Sequence, residues 1–135
     1  MRSANDPHNI SIITPVLNEE HQIVSFLDNL QAAPCREHIL IDGGSTDRTR
    51  NLINRYPVRL ISSPPGRGTQ QNAGASAATG EILLFLHCDT RLPVNYQHLV
   101  LHILAQPGTV AGAFQLGIDH PDRRYRLIER GVNLR

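Results

Sequence analysis

The stretch of sequence at residues 39–47 constrains the fold of this chain most strongly. It opens with three apolar residues, which predict a buried β-strand, and the chain then turns polar at Asp42. Two glycines follow, which allow backbone conformations that a Cβ atom would exclude, and Ser45 or Thr46 can cap a helix that begins near Asp47. In open α/β sheets, ligands bind beyond the carboxyl ends of the strands. Asp42 is therefore predicted either to bind a ligand or to stabilise an ordinary strand–helix turn.

Strand-like and helix-like patterns alternate along the rest of the chain. Apolar residues at helical spacing follow each strand-like run, with short loops between them. The most apolar run, 81–86, is expected at the centre of the sheet with both faces covered. This order predicts an α/β fold, a mostly parallel open sheet with helices on both faces and a crevice where the strand order reverses. Runs rich in β-branched and aliphatic residues predict strands at residues 10–14, 38–41, 58–61, 81–86 and 109–114.

Individual residues predict where several elements begin and end. Pro15 is expected to end the first strand, and Asn18 is expected to cap the first helix. A later helix is expected at residues 69–79, with Gly80 as its C-cap. Gly74 lies in the middle of that helix, where glycine costs about 1 kcal/mol relative to alanine, so close packing is the expected compensation.

The composition excludes several classes of protein. The 135 residues suit a single domain, and 40% of them are hydrophobic, which is enough for a core. A net charge of +1 gives no reason to expect a nucleic-acid partner. All 13 basic residues are arginine, so a lysine Schiff base and a P-loop lysine are both excluded.

The cysteines and the two ends of the chain bear on its location. Cys35 and Cys88 fall in different predicted elements and match no disulfide or zinc pattern, which fits a reducing cytoplasm. Residues 1–9 lack the apolar core of a signal peptide, and no apolar run is long enough to span a bilayer. From Asp119 onward the chain carries many arginines and a helical apolar stripe, which suits contact with a protein or with the inner face of a membrane.

Three acidic residues are predicted to meet beyond the carboxyl ends of the strands: Glu19, Asp42 and Asp89. Carboxylates that lie close together need a cation or hydrogen bonds to offset their repulsion, so a divalent metal, a nucleotide base or both are expected here. His87 lies two residues before Asp89, on the same side of an extended chain. A histidine–carboxylate pair suits Mn²⁺ better than Mg²⁺, which prefers oxygen ligands.

A Gly–Arg–Gly loop and the helix after it offer further polar groups. The planar guanidinium of Arg67 suits a phosphate or diphosphate, although a solvated loop arginine is an equal alternative. Asn72 lies in the first turns of the helix and can hydrogen-bond a base or a ribose. The loop is a poor match to the dinucleotide-binding fingerprint, because Gln71 stands where the third glycine belongs.

Four motifs lie at residues 11–20, 41–47, 66–74 and 86–89. In sequence and in order they resemble the family 2 glycosyltransferases of GT-A fold, and in detail a bacterial subgroup of that family. The resemblance extends over residues 10–114. It implies a Rossmann-like nucleotide-binding half, a nucleotide-diphosphate sugar donor that is most often a UDP-sugar, and an acceptor that it does not identify.

The resemblance also implies particular roles for residues of the site. Asp42 would pair with the base, and Asp89 would hold Mg²⁺ or Mn²⁺ on the diphosphate, with His87 in place of the family's usual first aspartate. Asp47 would cap the helix that follows the second strand. The nucleotide-sugar site as a whole would consist of Pro15, Glu19, Asp42, Arg67, Asn72 and Asp89.

In the family that these motifs resemble, the catalytic base is an Asp or Glu that follows a later strand. It is therefore expected beyond Arg135, and residues 1–135 are expected to form one GT-A-like domain that is truncated at its carboxyl end. Transfer would proceed with inversion at the anomeric carbon.

Two alternatives remain at the level of sequence. The chain can be a catalytically incomplete nucleotide-binding module that acts through a partner. It can also be a nucleotidyltransferase, which uses similar crevices and metal-binding acids. A nucleotidyltransferase usually carries a lysine or a glycine-rich loop after its first strand, and residues 15–18 supply neither.

Overall fold

The computed structural model describes residues 6, 9–115 and 117–134. The predicted strand at 109–114 is wrong, because these residues form no regular element and are largely exposed. The helices and strands are β1 (Ile10–Val16), α1 (Ile23–Gln31), β2 (Glu37–Asp42), α2 (Thr49–Ile53), β3 (Arg59–Ser62), α3 (Arg67–Ala77), β4 (Ile82–Phe85), α4 (Tyr96–Leu104) and α5 (Arg124–Asn133).

The chain divides into two compact units, Met1–Leu101 and His102–Arg135. The first unit contains the whole sheet, α1, α2, α3 and the first part of α4. The second contains the end of α4 and all of α5. Among the described residues, no helix is both long and apolar enough to cross a membrane.

The first unit is built on one four-stranded sheet in the order β3-β2-β1-β4, and all of its pairings are parallel. The chain places β2 and β3 successively on one side of β1 and then returns to place β4 on the other side. The strand order therefore reverses between β1 and β4, which is where a crevice opens in such sheets. All four strands end at the same side of the sheet, the carboxyl edge. This architecture confirms the predicted α/β fold.

Successive side chains of the central strands point to opposite faces of the sheet, and each face is covered by helices. Ile12 and Leu40 belong to the larger core cluster, together with buried residues of α1 and α2. Ile13 and Ile41 lie on the opposite face and pack with alanines of α3. The predicted apolar stripe of α1 is confirmed by the burial of Ile23, Phe26, Leu27 and Leu30.

Pro15 does not end β1, contrary to the sequence prediction. The strand continues to Val16, and Pro15 pairs with Ile41 of β2. The carbonyl of Val16 accepts from the N–H of Gly43, directly after β2, whereas that of Ile13 accepts from the N–H of Leu86, directly after β4. Successive residues of β1 therefore bond to opposite neighbours. Pro15 falls on the β4 side, where it has no N–H to donate. It therefore ends only the β1–β4 pairing, at the point where the crevice opens.

The first helix begins later than its sequence indicates. Asn18 has a positive φ of 54° and does not cap a helix. The residues between it and α1 form turns, and α1 starts at Ile23 after Gln22. Glu19 and Glu20 therefore belong to the β1–α1 loop, and their backbone N–H groups donate to side chains that follow β2.

Helix α3 differs from its prediction at both ends. It begins at Arg67 rather than at residue 69, and its C-cap is Ala78 rather than Gly80. Gly80 is needed for a different reason, since a Cβ atom there would lie 2.6 Å from the backbone oxygen of Asn9. The close packing predicted at Gly74 is confirmed, because a Cβ atom there would lie 2.5 Å from Ile13.

Strand β4 lies at the edge of the described sheet, so its predicted central position is wrong. Its burial alternates, and Leu83 and Phe85 are 38% and 46% exposed on one face. A continuous apolar run is typical of a strand that is buried on both faces. The difference arises because α3 covers β1 and β2 on that face and makes its main contacts with them.

The second unit is organised around the predicted basic amphipathic helix, which is confirmed as α5. None of the described residues of α5 is buried. Arg126 pairs with Glu129 and also donates to the backbone carbonyls of Ile118 and His120, which fixes the segment before the helix. The apolar side chains of α5 are also exposed, as Leu127 and Ile128 show.

Candidate functional site

The β1–α1 and β2–α2 loops meet at the carboxyl edge, where they are joined by reciprocal hydrogen bonds. The backbone N–H of Asn18 donates to Ser45 Oγ at 2.9 Å, and the N–H of Thr46 donates to Asn18 Oδ1 at 2.8 Å. The left-handed conformation of Asn18, which asparagine tolerates better than most residues, is thus held from both sides.

The acidic residues after Asn18 extend this connection. The N–H of Glu19 donates to Thr49 Oγ1 at 2.8 Å, and the N–H of Glu20 donates to Asp47 Oδ2 at 3.1 Å. Hydrogen bonds from Arg48 hold the pKa of Glu20 below its ordinary value. Asp47 Oδ1 also accepts from the N–H of Thr49, the first residue of α2, so its expected part in ordering the turn agrees with its contacts. The N-cap of α2 is Arg48, so Asp47 stabilises the start of the helix from one residue before the cap, and it also cross-links the two loops.

Asp42 ends β2 and has no solvent-exposed side-chain surface. Its carboxylate accepts hydrogen bonds from the N–H groups of Gly44 and Ser45 at 3.2 Å and from Arg50 Nη1 at 2.8 Å. Burial alone would raise the pKa of Asp42, but these hydrogen bonds outweigh burial, so the pKa lies below its ordinary value. The charged carboxylate holds the glycine turn in shape, and its oxygens are already engaged.

Arg50 was not identified from the sequence, although it holds the most prominent position beside Asp42. Its Nη1 donates to Asp42 Oδ2 and to Ser62 Oγ, both at 2.8 Å, so the guanidinium spans the carboxyl ends of β2 and β3. Its side chain is 44% exposed. In sequence, Arg50 looks like any other exposed arginine on a short helix, so nothing in the sequence indicates its contact with Asp42.

Gln70 was also missed, and it joins the ends of β1 and β2. The residue is 4% exposed, and its Nε2 donates to the carbonyls of Val16 at 2.9 Å and Ile41 at 2.7 Å. A Cβ atom on Gly43 would lie 3.0 Å from the Gln70 amide, so this glycine makes room for it. A signal did exist in the sequence, because Gln70 is a polar residue on the same helical face as Gly74.

The loop after β4 reaches the β1–α1 loop through Cys88. This thiol is buried and interacts with the Glu19 carboxylate, and burial together with that interaction raises the pKa of Cys88 to about 12. Cys88 is therefore a neutral packing residue. Asp89 is exposed and accepts from Thr90 Oγ1 at 3.1 Å. His87, which precedes the pair, is half-buried.

Helix α3 presents its two predicted site residues differently. Arg67 lies one turn before Gln70, on the same side of the helix, and so near the carboxyl edge. It is exposed and forms no ion pair within the described part of the chain. Asn72 is two residues from both Gln70 and Gly74, which places it on the opposite, exposed side of α3. No described contact brings Asn72 to the loops at the carboxyl edge.

Three predicted acids thus share the carboxyl edge, but in different states. Glu19 is partly exposed, Asp42 is buried and engaged, and Asp89 is exposed without an ion-pair partner among the described residues. In residues 6, 9–115 and 117–134, no group of three or more His, Cys, Asp and Glu side chains is arranged to hold a metal. Asp89 offers an exposed carboxylate close in the chain to the half-buried His87, and Mg²⁺ is commonly held by one or two carboxylates plus substrate phosphates.

A family model described as glycosyl transferase family 2 matches residues 11–134. Among curated proteins, a PGL/p-HBAD biosynthesis glycosyltransferase of Mycobacterium bovis is 37% identical over 91 residues, which are 61% of this chain and 36% of the relative. An undecaprenyl-phosphate 4-deoxy-4-formamido-L-arabinose transferase of Pectobacterium carotovorum is 29% identical and covers 96% of this chain and 43% of its own.

Solved structures agree with these relatives. Glucosyl-3-phosphoglycerate synthase from Mycobacterium tuberculosis, in complex with Mn²⁺, UDP and glucosyl-3-phosphoglycerate, matches with a TM-score of 0.59 and 28% identity. The match covers 75% of this chain and 40% of the synthase. The same enzyme with Mg²⁺ and UDP gives a TM-score of 0.60.

The family match, the solved structures and the arrangement of the loops all indicate the amino-terminal part of a glycosyltransferase fold. This chain spans less than half the length of the relatives named above. The family model itself covers most of the chain, from the start of β1 to the end of α5. The chain belongs to glycosyl transferase family 2.

Proposed function

We propose that residues 1–135 bind a nucleotide-diphosphate sugar, with UDP as the nucleotide, as the donor-binding part of an inverting glycosyltransferase. One observation carries the proposal: a single parallel sheet gathers the loops after β1, β2 and β4 at one edge, beside the point where strand order reverses. Structural neighbours bound to UDP with Mn²⁺ or Mg²⁺ support it.

Within this proposal, the diphosphate lies near β4 and the nucleoside lies toward β2. Asp89 and His87 would hold Mg²⁺ or Mn²⁺, which when bound offsets negative charge on the diphosphate as it departs. Arg67 keeps an uncompensated positive charge and suits a phosphate oxygen. Pro15 and Glu19 would line the nucleoside side of the crevice. Asn72 belongs to the proposed site only by family resemblance, since it lies on the outer side of α3.

The proposed reaction is a direct displacement at the sugar. An acceptor hydroxyl oxygen forms a bond to the anomeric carbon as the bond from that carbon to the diphosphate oxygen breaks, which inverts the anomeric centre. A carboxylate takes the hydroxyl proton. We assign no base within residues 1–135 and propose that other residues supply the base and the acceptor site.

The first test is a calorimetric titration of the chain with UDP in the presence of Mn²⁺. We expect saturable binding that weakens when a chelator removes the metal, and slow or no turnover with a panel of UDP-sugars. Failure to bind UDP with Mn²⁺ would contradict the proposal. Turnover of a nucleoside triphosphate with a sugar phosphate would instead support the nucleotidyltransferase alternative.

A second proposed function concerns α5, for which we propose contact with an anionic membrane surface at the cytoplasmic face. Leu127 is 69% exposed and is surrounded on the helix surface by Arg123, Arg124, Arg126 and Arg130. Basic and apolar residues on an exposed amphipathic helix suit the interface of an anionic bilayer. A relative whose name includes undecaprenyl phosphate, which is a lipid phosphate, adds support.

Vesicle sedimentation tests the membrane contact. The double substitution Arg123→Gln with Arg130→Gln should weaken binding to vesicles containing anionic lipid by about 30-fold, since each arginine near such a surface contributes about 1 kcal/mol. A control pair, Arg55→Gln with Arg91→Gln, removes the same charge from exposed positions of the first unit and should have little effect. Equal binding of the wild-type chain to neutral vesicles would contradict the proposal.

A further inference from the structure

Arg50 of α2 lies over the end of β2 and can reach a ligand there. The side chain of Asp42, at the end of β2 itself, cannot. Asp42 has 0% side-chain exposure, and both of its oxygens accept hydrogen bonds from within the chain. Arg50 covers this carboxylate and remains 44% exposed. A ligand that approaches the carboxyl edge at β2 therefore meets the guanidinium first.

Arg50 is held in place by hydrogen bonds that engage only part of its guanidinium group. Only its Nη1 donates within the described chain, to Asp42 and Ser62. A guanidinium has further N–H groups on Nε and Nη2, which lie in the same plane. Because two acceptors at the ends of adjacent strands fix Nη1, those remaining donors have a defined direction, and little side-chain entropy is lost when they bind a ligand.

The charge around Arg50 indicates what kind of acceptor it suits. Its pairing with the buried Asp42 carboxylate neutralises the local charge while leaving the N–H donors available. Such a pair attracts a phosphate only weakly, but it hydrogen-bonds well to a neutral carbonyl oxygen. Arg67, which has no carboxylate partner in the described chain, suits the phosphates better.

The position of Arg50 along the carboxyl edge agrees with this division. The order of the strands is β4, β1, β2 and β3, and neighbouring strands lie about 4.8 Å apart. The end of β2 is therefore about 10 Å from that of β4, where Asp89 is proposed to bind the metal and the diphosphate. An extended nucleotide with its diphosphate at β4 places its base toward β2 and β3.

We infer that Arg50 donates hydrogen bonds to a carbonyl oxygen of the uracil base, and that Asp42 positions Arg50 instead of contacting the base itself. This inference rests on the proposed function and assigns the base-reading role to a different residue. Uracil offers two carbonyl oxygens, whereas adenine offers none. Arg50 therefore favours UDP over ADP.

Calorimetric titrations with UDP, ADP and inorganic pyrophosphate, each with Mn²⁺, test the inference. For Arg50→Lys and Arg50→Gln we expect UDP affinity to fall about tenfold to a hundredfold, as for loss of a hydrogen bond from a charged donor. Affinity for ADP and pyrophosphate should stay within about twofold of wild type. Arg50→Lys keeps a cation beside Asp42, so it separates the loss of base contact from a change in folding. Arg55→Gln, at an exposed arginine of the same unit, is the matched control.

The outcomes separate the inference from the function on which it rests. Unchanged UDP affinity in both Arg50 variants would overturn the inference while leaving nucleotide binding intact. An equal loss for UDP, ADP and pyrophosphate, with an unchanged melting temperature, would overturn it in favour of a phosphate contact. A wild-type chain that binds none of these ligands would overturn the proposed function itself.

Discussion

Replacing Asp89 with alanine should remove the metal-dependent part of UDP binding. Asp89 is exposed at the carboxyl edge and has no ion-pair partner in the described chain, so its charge is available for a cation. Loss of groups that merely orient metal ligands costs about 10- to 100-fold in metal affinity, and a direct ligand should matter at least as much. Titrations of the variant with UDP should therefore give the same affinity with and without Mn²⁺.

The control for this experiment is Asp119→Ala, which removes an exposed carboxylate from the second unit. It should leave the effect of Mn²⁺ unchanged. His87→Ala should reduce the effect of Mn²⁺ more than that of Mg²⁺, because an imidazole suits the former cation better. If Asp89→Ala still binds UDP more tightly with Mn²⁺ than without, the proposed metal position is wrong.

Replacing Gly74 with alanine should destabilise the chain, although alanine is the better helix former. The new methyl group would lie 2.5 Å from Ile13 Cγ2 and 2.6 Å from Ile41 Cδ1, and both isoleucines are fully buried. Overpacking of this kind typically costs 1–3 kcal/mol, about 1 kcal/mol of which is offset by helix propensity. An approach of 2.5 Å puts this substitution at the upper end of that range, so we expect a net loss of about 2 kcal/mol in the free energy of unfolding, measured by urea denaturation.

Gly68→Ala, on the same helix, is the matched control. No atom lies within 4 Å of the position that its Cβ would occupy, so propensity alone should stabilise α3 by up to about 1 kcal/mol. Gly74→Ala should therefore lie below wild type in free energy of unfolding and Gly68→Ala above it, with about 3 kcal/mol between the two variants. Equal stability of both would show that α3 is not packed against the sheet as closely as its geometry indicates.

The fold was predictable because its signals are local and repeated. Strand-like runs at residues 10–14 and 38–41 alternate with helical stripes, and this alternation with short loops is typical of a parallel sheet. Errors occurred where a residue's role depends on its neighbours in space. Pro15 reads as a strand terminator, but its missing N–H faces only one of two neighbouring strands. The run at 81–86 is apolar enough for a central strand and yet forms an edge strand of the described sheet.

The candidate site was predictable in location and less so in detail. Strand ends and a family resemblance placed Glu19, Asp42 and Asp89 near one edge of the sheet, where the structure also places them. Their individual states did not follow from the sequence, since burial and hydrogen bonding depend on distant segments. Arg50 and Gln70 were missed because each acts on backbone or side-chain atoms that come from other strands.

By itself the sequence determined the order of the elements, the parallel sheet and the gathering of acids at the carboxyl edge. These follow from side-chain periodicity and from chain connectivity, which are properties of contiguous residues. Tertiary structure alone decided that Asp42 is sealed beneath Arg50, and that Gln70 links β1 to β2. The reason is physical: the energy of a buried polar group is set by the partners that surround it, and those partners come from segments far apart in the chain.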